Sequence, residues 1–278
     1  MCKWFVVFAC FTFSSVPTIA DDWLKALLLF DAGRYEESIV LLTPLAEDGN
    51  LEAQEILYAV HTHGHGVPVD HEAALHWLDL SAKQGSASAQ DAMAHHFLRG
   101  QGVPVDVDKA VHWFRLAARQ GHAASIYTLG VMTMDGMGIG KNYQEGWRLI
   151  QWAADLGDPG ALFLVGVDAL NNIKSTEDFE RGLGHLTRAA KEGERRASAV
   201  LGIVLEDFTE DPNHRVKSAF HYHMAVAAGC IDLIAAAERT LKRLSDDEVE
   251  QLNYNITMWE PEVDPRDPEP EPVHCVPS

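Results

Sequence analysis

Six glycines stand 36 residues apart without a gap: Gly49, Gly85, Gly121, Gly157, Gly193 and Gly229. A fixed period of this length restricts the chain to a stacked array of one small supersecondary unit. No such unit can bury both of its faces alone, so neighbours must stack. The period is visible as text. GHGVPVDHEAALHWLDLSAKQG over 64–85 returns as GQGVPVDVDKAVHWFRLAARQG over 100–121.

Between successive closing glycines the apolar spacing predicts two helices, A and B. The second pair reads as helix A from Glu52 to Thr62, with Ala53, Leu57 and Val60 on one face, then a glycine loop. Helix B follows from His71 to Lys83, with Asp70 placed to cap it and Gly85 at the left-handed position beyond its end. The first pair is Asp21–Ala32, with Asp21 or Asp22 as cap, and Tyr35–Glu47. The fourth pair keeps Gly136 and Gly138 in its loop. The fifth and sixth keep only the closing glycine, their loops reading LNNIKSTEDF and EDFTEDPNHRV. Gly130, Gly166 and Gly202 fall on the period inside helix A. Ala82, Ala118, Ala154 and Gly166 are the small residues expected to let helices approach closely. Trp77 and Trp113 share one repeat position, which predicts packing between helices; Trp147 and Trp152 follow in the fourth pair.

The ends differ from the array. Lys3, the apolar run Trp4–Phe13 and Thr18-Ile19-Ala20 have the form of a secretory signal, with cleavage expected after Ala20. That run is too short to span a bilayer, so the expectation is a periplasmic or secreted protein and not an integral membrane one. Cys2 and Cys10 would leave with the signal, and Cys230 and Cys275 would be free to form one disulfide. Residues 21–229 are read as about six helix pairs and 230–259 as capping helices. The latter are one helix over Ile231–Leu244 and a second opened by the capping box Ser245-Asp246-Asp247-Glu248 and running to Trp259. Residues 260–278, acidic and proline-rich, are expected to be extended or disordered. The formal charge of -19 argues against binding nucleic acid through phosphates and admits a basic partner.

Leu129-Gly130 with Gly136/Gly138, and Gly100/Gly102-Val103, Ala110, Trp113, Ala117-Ala118 and Gly121, resemble the Sel-one-like repeat family, a relative of the tetratricopeptide repeat. The resemblance runs roughly from Asp22 to Gly229 and is most specific in the second to fourth pairs. It implies an all-α fold, a right-handed α/α superhelical solenoid of antiparallel helix pairs, and a role as adaptor or scaffold for protein complexes. Exported bacterial members are implicated in envelope or host-facing interactions. The family has no shared catalytic residue to carry over. Its cysteine-rich members, some acting on penicillin-type drugs, have a cysteine pair in each repeat that is absent here.

In the related tetratricopeptide architecture helix A lines the concave face. Carried onto this register, that pattern selects Glu55, Asp91, His95, Tyr127, Met134, Phe163 and Leu170 as partner-binding residues for a protein or peptide. The middle of the set is apolar and aromatic and its flank acidic, as interfaces tend to be built.

No motif points to catalysis or to a cofactor. DGMGIGKN over 135–142 has Asp135 in place of the first glycine of a phosphate loop and Asn142 in place of its hydroxyl residue. His71 and His76 are five apart, which puts them on different sides of a helix rather than on one metal. His61, His63 and His65 are weak metal-ligand candidates, since their repeat equivalents are Phe97, Arg99 and Gln101. The alternatives to a binding scaffold are therefore a hydrolase of envelope material, such as a penicillin-type drug or peptidoglycan, or a metal binder through that histidine loop.

Overall fold

The computed structural model describes residues 19–206, 212–259 and 275. All helices and turns discussed below lie among these, and they include no strand. The chain divides into two compact units, Met1–Val105 and Asp106–Ser278.

In the first unit α1 (Ile19–Asp31), α2 (Tyr35–Glu47), α3 (Leu51–His63), α4 (His71–Gln84) and α5 (Ala87–Arg99) follow one another. Helix α1 starts two residues earlier than the sequence suggested, so Asp21 and Asp22 are not caps. They lie within its first turn. Asp70 caps α4 as expected, and Asn50 and Ser86, which the sequence reading did not single out, likewise accept a backbone N–H at the start of α3 and α5. The core joins Ala26, Leu42, Leu45, Ala46, Ala53, Leu57 and the buried ring of Trp77. Polar groups inside it are satisfied across helices. Gln54 Nε2 donates to the Ala46 carbonyl at 2.9 Å, and its repeat equivalent Gln90 donates to that of Ala82 at 3.2 Å.

The two loop glycines have different jobs. Gly64 ends α3 in the left-handed region, at φ 74°. Gly66 lies against the preceding pair, where an added Cβ would stand 2.5 Å from Tyr35 Cβ. Gly102 meets Leu75 in the same way, at 2.4 Å. Gly66 and Gly102 also stand at positive φ, 71° and 72°, so the G-x-G spacing records a conformational requirement at both positions and a close approach to the preceding pair at the second.

The second unit holds α6 (Val107–Arg119), α7 (Ala123–Asp135), α8 (Tyr143–Asp155), α9 (Pro159–Asn171), α10 (Thr176–Lys191), α11 (Arg195–Glu206) and α12 (Pro212–Ala227). A short 3-10 turn (Ile231–Leu233), α13 (Ile234–Leu241) and α14 (Asp246–Met258) complete it. Each A/B pair crosses at small residues. A Cβ on Gly146 of α8 would lie 2.6 Å from the Gly130 carbonyl of α7, and one on Gly182 of α10 would lie 3.3 Å from that of Gly166. In the next pair Ser218 replaces the B-helix glycine, and its hydroxyl donates to the Gly202 carbonyl at 2.8 Å. The fifth loop, lacking glycine, ends α9 at Asn172 with φ -116° and opens α10 from Ser175, which accepts the Asp178 N–H. Part of the sixth loop, 207–211, lies outside the described residues, as do 1–18, 260–274 and 276–278. The signal segment and almost all of the tail are among these.

The helix anticipated over Ile231–Leu244 is instead a 3-10 turn followed by the two-turn α13. Here the chain is tied down locally. Cys230 and Cys275 form a disulfide with Cα atoms 5.4 Å apart, and Asp232 accepts the Cys275 N–H at 3.1 Å. The capping box is present as read. Ser245 Oγ accepts the Glu248 N–H and the Glu248 carboxylate accepts the Ser245 N–H. Helix α14 closes on α12 through Val216, Ala219, Phe220 and Leu252. No helix among the described residues is long and apolar enough to cross a membrane.

Candidate protein-binding surface

The seven selected residues divide between the units. In the first, Glu55 on α3 is half-buried, and its carboxylate accepts from the hydroxyls of Ser86 and Ser88 at the start of α5. It therefore joins successive A helices. Tyr58, one turn on, reaches α5 as well, its hydroxyl 3.2 Å from His96 Nε2. His96 Nδ1 donates to the Gln101 carbonyl at 2.6 Å, since a carbonyl only accepts. In the neutral ring Nε2 then accepts from Tyr58, whose pKa burial raises. Asp91 and His95 lie one turn apart on α5, with Nε2 and Oδ2 separated by 3.6 Å.

In the second unit the positions equivalent to Glu55 and Asp91 are aromatic. Tyr127 of α7 lies across the start of α9, its ring over Gly160, where an added Cβ would come within 3.0 Å of Cζ. Phe163 of α9 carries the Arg196 guanidinium of α11 over its ring, 4.5 Å from the centroid. Arg196 is held flat by Glu194, whose two carboxylate oxygens accept from Nε and Nη2 at 2.8 Å each. Arg196 also interacts electrostatically with the Tyr127 side chain. Three consecutive A helices thus contribute Tyr, Phe and Arg to one continuous patch. Burial raises the Tyr127 pKa, with the Arg196 charge opposing it, so the hydroxyl stays protonated at neutral pH. Burial likewise raises Asp158, which caps α9 beneath this patch through the Ala161 N–H at 2.8 Å. An aromatic pair with a stacked, pre-ordered guanidinium is the composition of an interface anchor.

Met134 and Leu170 do something else. Met134 covers Gly146 and Leu170 covers Gly182, each within 3 Å of where a Cβ would be. Both half-buried side chains fill the crossing of their own A/B pair. The Sel1 repeat family model matches residues 58–86, 87–122, 123–158 and 161–194. The chain carries four Sel1 repeats. All of α7 and α8 and α9 from Ala161 onward lie within them, and Tyr127 and Phe163 are Sel1-repeat positions. A crystal structure of a Sel1 repeat protein from Oxalobacter formigenes is similar over 85% of this chain and 99% of its own, at TM-score 0.67 and 24% identity. A protective antigen of uropathogenic Escherichia coli strains, displaying an SLR fold, is similar over 86% of this chain at TM-score 0.62 and 22% identity. This chain spans 53% of its length. At these identities the likeness is one of fold. A search of the curated proteins finds no match to the sequence.

Glu194 completes the patch from outside the helix A register, whereas Arg196 stands on that register, at the position equivalent to Glu52, without being one of the seven selected residues. Nothing in the period announces a guanidinium folded back over the preceding repeat. The histidine loop of the Sel1 array does not converge. The His65 ring packs on Tyr35 with centroids 5.2 Å apart, and His63 and His65 are 5.7 Å apart. Among the described residues no group of three or more His, Cys, Asp or Glu side chains is gathered as metal ligands.

Proposed function

We propose that this Sel1-repeat chain is an exported, non-enzymatic scaffold that binds a protein or peptide along the A-helix face of α7, α9 and α11. The observation that carries the reading is the Tyr127–Phe163–Arg196 patch. It is built from three successive helices, held rigid by Glu194, and unnecessary to the A/B crossings that stabilise each repeat. A partner segment with an apolar or aromatic residue would pack on Phe163, and a carboxylate would meet Arg196. The acidic charge of the chain favours a basic partner elsewhere on its surface and disfavours nucleic acid. Export is supported by the form of residues 1–20 and by a disulfide, which persists in oxidising compartments.

The test uses a displayed random-peptide library panned on the full chain. Sequences enriched on the wild type are expected to lose binding by about tenfold or more to Phe163→Ala and to Arg196→Ala, as for interface anchors. Thermal melts establish that both variants fold. Enriched peptides held equally by both folded variants would place the binding surface elsewhere. Cell fractionation with mass spectrometry of the amino terminus tests export: a mature chain beginning at Asp21 is expected, and a cytoplasmic chain retaining Met1 would refute it.

A further inference from the structure

A second feature of the second unit is a cleft among its carboxyl-terminal helices. Helices α10, α11, α12 and α14 enclose a cleft of about 750 Å³, within the ~300–1,000 Å³ range of small-molecule sites. Its walls are apolar: Leu201 and Leu205 of α11, Phe220 of α12 and Trp259 just past α14. Phe220 and Trp259 meet edge to face with centroids 5.1 Å apart, which fixes the indole. The buried ring of His221, 6% exposed, also packs edge-on against Trp259 and backs the wall.

The charged groups at this cleft are mostly cationic. Arg188 and Lys191 of α10 and Lys217 of α12 line it, against one carboxylate, Glu180, among the described residues. Elsewhere Arg148, Arg181, Arg196, Arg215 and Arg239 each pair with a carboxylate. Among the described residues none of Arg188, Lys191 and Lys217 does so, although the chain has 41 acidic residues against 22 basic ones. Lys191 Nζ instead stands 6.0 Å from the centroid of the Trp259 ring. Cations gathered over an aromatic wall, on a protein of net charge -19, make a local sink for one kind of solute.

We propose that this cleft binds a small organic anion with a flat aromatic body, its acidic group meeting Lys191 and Lys217 and its ring resting against Trp259. The cations supply charge complementarity and the apolar walls supply desolvation, so neither a simple inorganic anion nor a neutral arene is matched in full. The site is separate from the A-helix patch and does not depend on it.

The probe is anilinonaphthalene sulfonate, titrated into the full chain and followed by its fluorescence. One saturable site is expected, emptied by naphthalene carboxylate and not by naphthalene methanol. The Lys191→Glu/Lys217→Glu chain should bind about tenfold more weakly, since each exposed cation contributes only modestly. Trp259→Phe, which keeps a ring in the wall, should weaken binding less than Trp259→Ala. Arg148→Glu, which removes a cation away from the cleft, should leave the affinity unchanged. Circular dichroism melts confirm that each variant is folded. Non-saturable binding, an unchanged affinity in the folded double variant, or equal displacement by naphthalene methanol would overturn the proposal. So would stronger displacement by polyglutamate than by naphthalene carboxylate, which would make the cleft a peptide site.

Discussion

At Gly146 one added methyl group would sit 2.4 Å from Met134 Cγ and 2.6 Å from the Gly130 carbonyl. The backbones of α7 and α8 touch there, so the methyl has nowhere to go. Gly146→Ala is expected to cost about 2 kcal/mol despite the better helix propensity of alanine. Gly184 on α10 is the control. An added Cβ there meets nothing within 4 Å, and Gly184→Ala should gain about 0.5–1 kcal/mol. Urea denaturation midpoints check both, and equal signs for the two would refute the backbone-contact account. His221 supplies a pH signature. Burial, aided by the Lys217 charge, lowers its pKa from 6.5 to about 4. The unfolded chain therefore takes up a proton that the folded chain refuses between those values. Stability from this residue is complete above pH ~6.5 and is lost as pH falls towards ~4, by up to about 3 kcal/mol. His185, also lowered by burial, acts with the same sign. The lowered carboxylates of Asp178, Glu206 and Glu248 are lost only at lower pH. Melting temperatures between pH 4 and 7 should slope less in His221→Phe, and an unchanged slope would remove His221 as the cause.

Among the elements, the carboxyl-terminal helices depart most from the repeat. The disulfide closes a sequence separation of 45 residues, and constraint of an unfolded loop of that length is worth about 2–4 kcal/mol. Cys230→Ser/Cys275→Ser should lose that amount. The loss should be concentrated in α13 and α14, which join the Ala199–Tyr222–Ala225 cluster and the Phe220–Leu252 cluster near the linked cysteines. Amide hydrogen exchange is the measurement: protection in α13 and α14 should fall while that in α7 to α10 is kept. Uniform loss over the second unit would mean that the bond supports the whole stack instead. The capping box at Ser245 was legible in the sequence because a cap is a local pattern. The break between Ile231 and α13 was not, because Asp232 turns to the amide of a residue 43 positions away.

For the molecule as a whole the excess of acid is the main lever. A net charge of -19 repels itself in the folded state. Raising salt from ~0.01 M to ~0.15 M shortens the Debye length from ~30 to ~8 Å and should raise the melting temperature. Scanning calorimetry tests this, and a fall in melting temperature would mean that the surface ion pairs outweigh net repulsion. The same change should slow association with a basic partner while leaving contacts on Phe163 intact.

The period by itself determined the helix pairs, the closing glycines and the helix A glycines at the crossings. These are requirements of one unit and its neighbour, and they recur in the text because the geometry recurs. It also selected Tyr127 and Phe163, by their position on helix A. Tertiary structure decided how side chains at that position are used. Met134 and Leu170 went to the crossings, because Gly146 and Gly182 leave space that a flexible or branched side chain must fill. Arg196 came to the patch, because a stacked guanidinium held by Glu194 reaches back over the preceding repeat. The cationic cleft is the clearest case. Its residues are spread from Glu180 to Trp259 and follow no period. They meet only because α14 folds down on α12, so their joint chemistry is a property of packing and not of any stretch of sequence.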